Sequence, residues 1–326
     1  MLGFIVRRLF QSVFVMLAVS LIAFSLFRFV GDPVAQMVGQ ETSIQDRENL
    51  RERLGLNDPL IQQYGRFVVN LSKGEFGFSY RTRQPVSEMI LSRMPATLEL
   101  GFISLLISLL VGIPAGIYTA LKRGVISNFL LVITLIGISV PTFVIGIFLI
   151  YLFGVVLGWL PTFGRGDTVQ LGWWQTNFLT VDGVRSLILP AITLGVYQLT
   201  LTMRLVRAEM QDVLKTDFIR FATARGINYR SVYLNHAFRN TLVPVVTIIG
   251  LQLGGVIAFS IVTESVFQWP GMGLLFLDSI RYVDIPVMSV YLILIALMFV
   301  LINLLVDILY FVIDPRVRSR NGRLAR

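Results

Sequence analysis

Six long runs of uncharged, mostly apolar residues punctuate the chain, at 9–27, 100–121, 124–164, 186–203, 240–263 and 285–306, separated by segments in which charged residues gather. Each run is near or above the roughly 18–20 residues that a helix needs to cross about 30 Å of hydrocarbon. None shows the alternation over about ten residues that marks a membrane β-strand, so a barrel is excluded. The pattern predicts an all-α integral membrane protein with six transmembrane helices at about 9–30, 96–121, 129–157, 187–207, 240–265 and 287–313. The 124–164 run contains Pro141 and is long enough for a tight hairpin of two short helices, the alternative to one long helix kinked at the proline.

Charge decides between them. With six spans and the N-terminus inside, the inner segments 1–8, 122–128, 208–239 and 314–326 hold 14 Lys/Arg against 4 Asp/Glu, while the outer segments 31–95, 158–186 and 266–286 hold 11 against 12. A seventh span would put the 208–239 loop and the Arg-rich tail outside, against the tendency of basic loops to stay in the cytoplasm. The sequence therefore divides into a tail and first span (1–30), an extracytoplasmic domain (31–95), a core of five spans (96–313) and a basic cytoplasmic tail (314–326). Arg7 and Arg8 before an apolar stretch resemble a signal peptide. The stretch runs too long, and Gly31-Asp32-Pro33 lacks a cleavage pattern, so it reads as a retained span. Within 31–95, Asp46 to Leu54 alternates charge at helical spacing and Gly55 is a C-cap. Tyr64, Phe67, Val68 and Leu71 share one helical face, which suits either packing on the bundle or docking of a soluble partner.

Composition narrows the chemistry. Of the 326 residues 55% are hydrophobic and 14% charged, against about 25% charged in soluble domains. There is no Cys and one His, His236, which removes thiolate chemistry, disulfides and a histidine metal cluster. Gly137-Ile138-Ser139-Val140-Pro141 lacks the closing glycine of a hydrolase elbow, and no base is near. Arg28, Glu99, Arg204, Glu264 and Asp307 lie within about six residues of span ends, where long side chains snorkel to water. Asp307, the deepest, with Asn303 one turn earlier, is placed to meet a polar group on a partner helix. Gly112, Gly116, Gly250, Gly254 and Gly255 form small-residue patterns suited to close helix packing. A self-sufficient secondary transporter or channel is the competing class; it needs coupling charges or broken helices at mid-bilayer, and Pro141 is the sole candidate break.

The 208–239 loop is the most informative segment. Val213, Leu214, Phe218, Phe221 and Ala222 are spaced for an apolar stripe on a helix continuing from the fourth span. Gly226 ends that helix, and a second short helix follows from about Tyr229 to Phe238, with Arg230 and Arg239 exposed. Two phenylalanines outside the bilayer call for a partner's groove, and a rigid helix–glycine–helix can transmit force.

Asp217-Phe218-Ile219-Arg220-Phe221-Ala222-Thr223-Ala224-Arg225-Gly226, followed by His236-Ala237-Phe238-Arg239-Asn240-Thr241-Leu242-Val243-Pro244, resembles the coupling loop of binding-protein-dependent ABC importer permeases, dipeptide/oligopeptide/nickel group, first-permease type. The superfamily pattern E-A-A, three residues, then G falls on Arg220, Phe221, Ala222 and Gly226, so Ala222 and Gly226 match while the Glu and first Ala do not. Leu54-Gly55-Leu56-Asn57-Asp58-Pro59, Gly74-Glu75-Phe76-Gly77, Pro95-Ala96-Thr97, Gly112-Ile113-Pro114-Ala115-Gly116 and Glu264-Ser265-Val266-Phe267-Gln268-Trp269-Pro270-Gly271 follow in the group's order. The resemblance implies a type I ABC importer permease fold in the bacterial inner membrane, with both termini cytoplasmic. It implies pairing with a sister permease, two ABC ATPases on the cytoplasmic face and an extracytoplasmic solute-binding protein, all amid membrane lipid and without nucleic acid. ATP and Mg would sit on the ATPases, since this chain lacks G-x-x-x-x-G-K-[ST] and carries no cofactor or catalytic residue of its own. Asp217, Phe218, Phe221, Ala222, Ala224, Arg225, Gly226, His236 and Arg239 become the candidate ATPase-coupling residues. Glu264, Phe267, Trp269, Pro270, Gly271 and Pro141 become candidates for an outer gate or pathway, with Trp269-Pro270-Gly271 readable equally as an interfacial aromatic anchor followed by a turn.

Overall fold

The computed structural model describes residues 2–29, 34, 43–53 and 55–313. The Gly31-Asp32-Pro33 motif and the tail at 314–326 lie outside them. Among the described residues the architecture is helical apart from one small hairpin. Helices α1 (Leu2–Phe29), α4 (Val86–Leu121), α7 (Val181–Leu214) and α12 (Ile285–Ile313) are each long and apolar enough to cross a membrane. A bent pair, α5 (Val125–Ser139) and α6 (Thr142–Leu149, continued by a π-helical turn over Ile150–Val156), adds a fifth if taken as one span. Helix α10 (Arg239–Val266) is 28 residues long, about 42 Å at 1.5 Å per residue.

Close contacts fix the relative direction of these helices. A Cβ on Gly195 would stand 3.0 Å from the Ser104 carbonyl, Ser108 and Thr202 share a hydrogen bond at 3.2 Å, and a Cβ on Gly116 would meet the Met203 carbonyl at 2.8 Å. Helices α4 and α7 therefore run side by side in the same direction, held at backbone distance by small residues as the glycine spacing predicts. Gly250 faces Val306 and Gly254 faces Phe299, so α10 and α12 are antiparallel. Helix α1 is antiparallel to α12 as well. Arg8 binds Asp307 at 2.9 Å near one end, and Ser289 donates to the Ala23 carbonyl at 3.2 Å near the other. Asp307 thus has an ion partner inside its own chain.

Pro141 does more than kink a helix. Val140, pushed toward extended backbone by the following ring, has φ −92° and ψ 127°; α5 stops and α6 restarts with its axis turned by 111°. A Cβ at Gly137 would meet Thr200 and Val196, and one at Gly146 would meet Thr193. Gly137 thus packs beside Thr200 and Val196, and Gly146 nearer the N-terminus of α7, beside Thr193. The helical segment also starts at Val125, earlier than the expected 129.

The segment between α1 and α4 holds α2 (Ile44–Arg53) and the amphipathic α3 (Leu60–Ser72). The expected face of α3 turns inward: Tyr64 bonds Ser20 at 2.8 Å and the Leu17 carbonyl at 3.2 Å, and Phe24 packs on Tyr64 and Phe67. The helix leans on α1 well inside its apolar run. Farther along, Ser79 and the Tyr80 amide donate to buried Asp284 at 2.5 and 3.1 Å. Asp284 sits between α11 (Met272–Arg281) and α12, so this segment is tied to the start of α12.

Candidate functional site

Two regions collect the residues singled out by sequence. The first lies where α7 ends. Helix α7 stops at Leu214, and Thr216 precedes a separate helix, α8 (Asp217–Ala224), so the stripe does not continue from the span. Thr216 donates from its hydroxyl to the Val213 carbonyl at 2.5 Å, which closes the turn between them. Helix α8 buries Ile219 (4% exposed) and Ala222 (6%) against Val206 and Met210 of α7 and against Val232, Ala237 and Val245 on the far side of the loop. Ile113, Ile117 and Leu121 of α4 complete this cluster. Phe218 and Phe221 face outward instead, 43% and 60% exposed, with the Arg225 guanidinium 4.6 Å from the Phe221 ring centre. The expected stripe therefore mixes two faces. Ile219, absent from the sequence-based set, shares the inner face with Ala222 at i, i+3 spacing, a signal the sequence did carry.

Gly226 has φ +75°, the left-handed conformation that ends a helix, and its amide bonds the Thr223 carbonyl at 3.0 Å. No atom stands within 4 Å of where its Cβ would be, so backbone conformation alone favours glycine. Asn228 then caps α9 (Tyr229–Ser231), accepting from the Arg230 amide at 3.1 Å. A π-helical stretch over Val232–Phe238 runs directly into α10. Asp217, Ala224, Arg225 and Arg239 are exposed; His236 is half-buried, its Nδ1 3.1 Å from the Ser231 carbonyl. The outcome is a short helix with an apolar, cation-flanked outer face, its inner face held by α7 and the π-helical stretch within a cluster that α4 and α10 also join.

The second region lies at the opposite end and revises the expected position of two charges. Glu99 and Glu264 do not reach toward water: they are 2% and 0% exposed. Glu264 accepts from Thr97 Oγ1 at 2.7 Å and from the Leu274 amide at 2.9 Å, and Thr97 accepts in turn from the Met272 amide at 2.8 Å. Trp269 is fully buried and donates from Nε1 to the Ala96 carbonyl at 3.0 Å, so it is not an interfacial anchor. Gly271 lies close to the Glu264 carboxylate, and a Cβ there would crowd it. Phe267 is also buried, and its carbonyl accepts from the Gly164 amide at 2.9 Å. Pro270 is half-buried; Pro141 is exposed at the α5–α6 break, apart from this network.

Glu99 organises the neighbouring loop. Its carboxylate accepts from Arg165 Nη2 at 2.9 Å, Trp174 Nε1 at 2.9 Å and the Asn177 amide at 3.1 Å. Arg165 also donates to the Gln175 carbonyl at 2.7 Å and to the Asn177 side chain. These contacts fasten a two-stranded hairpin, β1 (Val169–Leu171) with β2 (Trp174–Thr176), onto α4. Burial pulls the Arg165 guanidinium below its ordinary pKa, while the hydrogen bond and charge of Glu99 push it back up. Arg165, Trp174 and Asn177 were not singled out by sequence; Arg165 being the first charge after the 124–164 run is the one signal that pointed there. Residues 96–99 of α4 thus carry both networks, one to the loop before α7 and one to the loop after α10.

Comparison with known proteins identifies the family. The family described as binding-protein-dependent transport system inner membrane component matches residues 112–319, and its N-terminal counterpart matches residues 1–101. The dipeptide transport system permease protein DppB of Alkalihalophilus pseudofirmus is 36% identical, over 98% of this chain and 100% of its own length. The di/tripeptide transport system permease protein DppB of Pseudomonas aeruginosa is 40% identical, and the glutathione transport system permease protein GsiC of Shigella flexneri 38%, both with the same coverage. Among solved structures, a chain of the MetNI methionine ABC transporter in an inward facing conformation is similar in fold, with TM-score 0.53 and 18% identity over 67% of this chain and 93% of that one.

Proposed function

The chain belongs to the inner membrane components of binding-protein-dependent transport systems, the permease subunits of ABC importers, and from that premise we propose how its parts divide the work. Six crossings carry the fold: α1, α4, the broken α5–α6, α7, α10 and α12. The directions support this count. Helices α4 and α7 run parallel, which requires one crossing between them, while α10 and α1 oppose α12. The N-terminus and the 208–239 loop then lie in the cytoplasm together with the basic tail, as the distribution of Lys and Arg favours. The 31–95 segment is extracytoplasmic at its α11–α12 attachment, with α3 against the outer half of the bundle.

The function is passage of short peptides or related small solutes through a pathway of which this chain forms half, a sister permease supplying the rest. Two ATPase subunits burn the fuel, and a solute-binding protein delivers the cargo outside. One observation carries the coupling assignment: Phe218, Phe221 and Arg225 project from a helix whose other face is buried in a cluster that residues of α4, α7 and α10 share. An ATPase gripping that face moves α4, α7 and α10 as a body, since close-packed interiors transmit displacement rather than absorb it. The outer networks around Glu99 and Glu264 keep the far end rigid enough for the motion to arrive there.

Reconstitution tests this. In proteoliposomes the chain with its sister should give no concentrative peptide uptake until ATPases, ATP and binding protein are added. Uptake driven by an ion gradient alone would overturn the proposal.

A further inference from the structure

The short helix α6 rests on two neighbours at once. A Cβ on Gly146 would stand 3.1 Å from Thr193 of α7 and 3.4 Å from Val266 of α10. Toward the coupling-loop end both neighbours lose that cover. Tyr197, one turn beyond Thr193, is 38% exposed, and Val262 and Phe259, one and two turns beyond Val266, are 40% and 66% exposed. Tyr197 stands about 200° around α7 from Gly195, which faces α4. It therefore points between α5 and α10. Helix α5, bent by 111° from α6, packs against α4 and α7, and among the described residues it does not pack along α10. These residues border one recess beneath α6, with α7 as its floor. The strip continues along α10 through half-buried Gly255 and Gln252. A Cβ at Gly255 would meet nothing closer than the Phe259 ring at 3.9 Å, which leaves a notch in that wall.

We propose that the strip Gln252, Gly255, Phe259 and Val262, with Tyr197 opposite, lines the route of the transported peptide, and that Gln252 hydrogen-bonds the peptide backbone. This rests on the importer reading above. Gln252 lies midway along α10, and its Oε1 is buried without a hydrogen-bond partner. Acyl chains offer an amide nothing, so a polar group at that depth faces a partner or a water-filled cavity. On α12, by contrast, the exposed residues through Ile308 are Leu297, Leu301, Leu305 and Ile308 itself, as a lipid-facing surface requires. The recess is also free of charge. No Asp, Glu, Lys or Arg lies between Arg239 and Glu264, between Arg185 and Arg204, or within 124–164. Such walls cannot select cargo by side-chain charge. What peptides share is a backbone N–H, which needs an acceptor once it leaves water, and the orphan Gln252 oxygen is one.

The chain has no cysteine, so a single thiol can be placed at will. In the purified importer, Gln252→Cys should react with a cationic, membrane-impermeant methanethiosulfonate about tenfold faster than Phe14→Cys on the exposed face of α1, because the thiolate forms only where water reaches it. Tyr197→Cys and Phe259→Cys give the same readout should Gln252→Cys fail to fold. Equal rates would set the strip against lipid or the sister permease and overturn the proposal. In proteoliposomes, Gln252→Leu should lower kcat for ATP-driven uptake of trialanine about tenfold, the scale of one hydrogen bond, and leave KM unchanged because the binding protein sets it. Ala-Lys-Ala and Ala-Glu-Ala should slow to the same extent. An unchanged kcat, a loss that depends on side-chain charge, or loss of the sister permease from the purified variant overturns the proposal. Failure of the unsubstituted importer to take up trialanine would strike the importer reading instead and leave the thiol rates standing.

Discussion

Arg165→Met removes the cation from a carboxylate that stays buried. Glu99 and Arg165 have side chains only 2% and 6% exposed, and the variant leaves Glu99 with two neutral donors, Trp174 Nε1 and the Asn177 amide. Removing one member of a buried pair costs about 3–5 kcal/mol, because the other charge stays desolvated. The Gln175 carbonyl and the Asn177 side chain also lose their donor. The two neutral donors that remain hold the expected destabilisation near the lower end, about 3 kcal/mol. Adding Glu99→Gln removes the stranded charge and keeps a carbonyl oxygen for one of the two donors, because Trp174 and the Asn177 amide bond different carboxylate oxygens. The double variant should therefore recover part of the loss of Arg165→Met alone, the removed charge outweighing one unpaired donor. The assay is unfolding in mixed micelles of increasing SDS fraction, followed by circular dichroism, on all four members of the cycle. A loss below about 1 kcal/mol for Arg165→Met, or a double variant less stable than the single, refutes the claim that this pair pins the hairpin to α4.

Gly116→Val should force α4 from α7, since its Cβ would stand 2.8 Å from the Met203 carbonyl, a backbone atom that cannot step aside; a loss of about 1–3 kcal/mol in the same assay is expected. Val283 is a β-branched residue at φ +53°, so Val283→Gly should stabilise the protein by about 1–2 kcal/mol, read as a shift in the unfolding midpoint. Phe221→Ala truncates an exposed side chain and should leave stability within about 0.5 kcal/mol while reducing the amount of ATPase that co-purifies; unchanged co-purification with full transport counts against the coupling face. Gly226→Asp should cost about 1–2 kcal/mol through backbone conformation alone and should also weaken ATPase association, as scored by pull-down from membranes.

The long helices were legible because lipid demands length and low charge, both local properties of the chain. The helix–glycine–helix form of the 208–239 segment was legible for a similar reason: Gly226 marks a helix end, and Phe218 and Phe221 stand out against ordinary loop composition. Which face of α8 turns inward was legible only in part: Ile219 and Ala222 share i, i+3 spacing, but Phe221 adjoins Ala222, and packing against Val206, Met210 and Val232 selects Ala222 for burial. The Pro141 break shows a related limit. A proline forbids continuation but does not set the new direction; the contacts of Gly137 and Gly146 with α7 do. Glu99 and Glu264 were misplaced because nearness to a span end is visible in sequence, whereas their partners come from distant segments. Arg165 and Trp174 reach Glu99 from the hairpin before α7, and Thr97 reaches Glu264 from α4. A charge reads as interfacial until its counterpart is located in space.

The native chain has no cysteine, so a single Arg225→Cys substitution places the only thiol beside the exposed face of α8. Labelling with a membrane-impermeant maleimide would be compared in right-side-out and inside-out vesicles, with and without the ATPase subunits. Reaction confined to inside-out vesicles, and suppressed when the ATPases are bound, is the result expected of a cytoplasmic lever. Modification from the outer face, or full reactivity under bound ATPase, contradicts it.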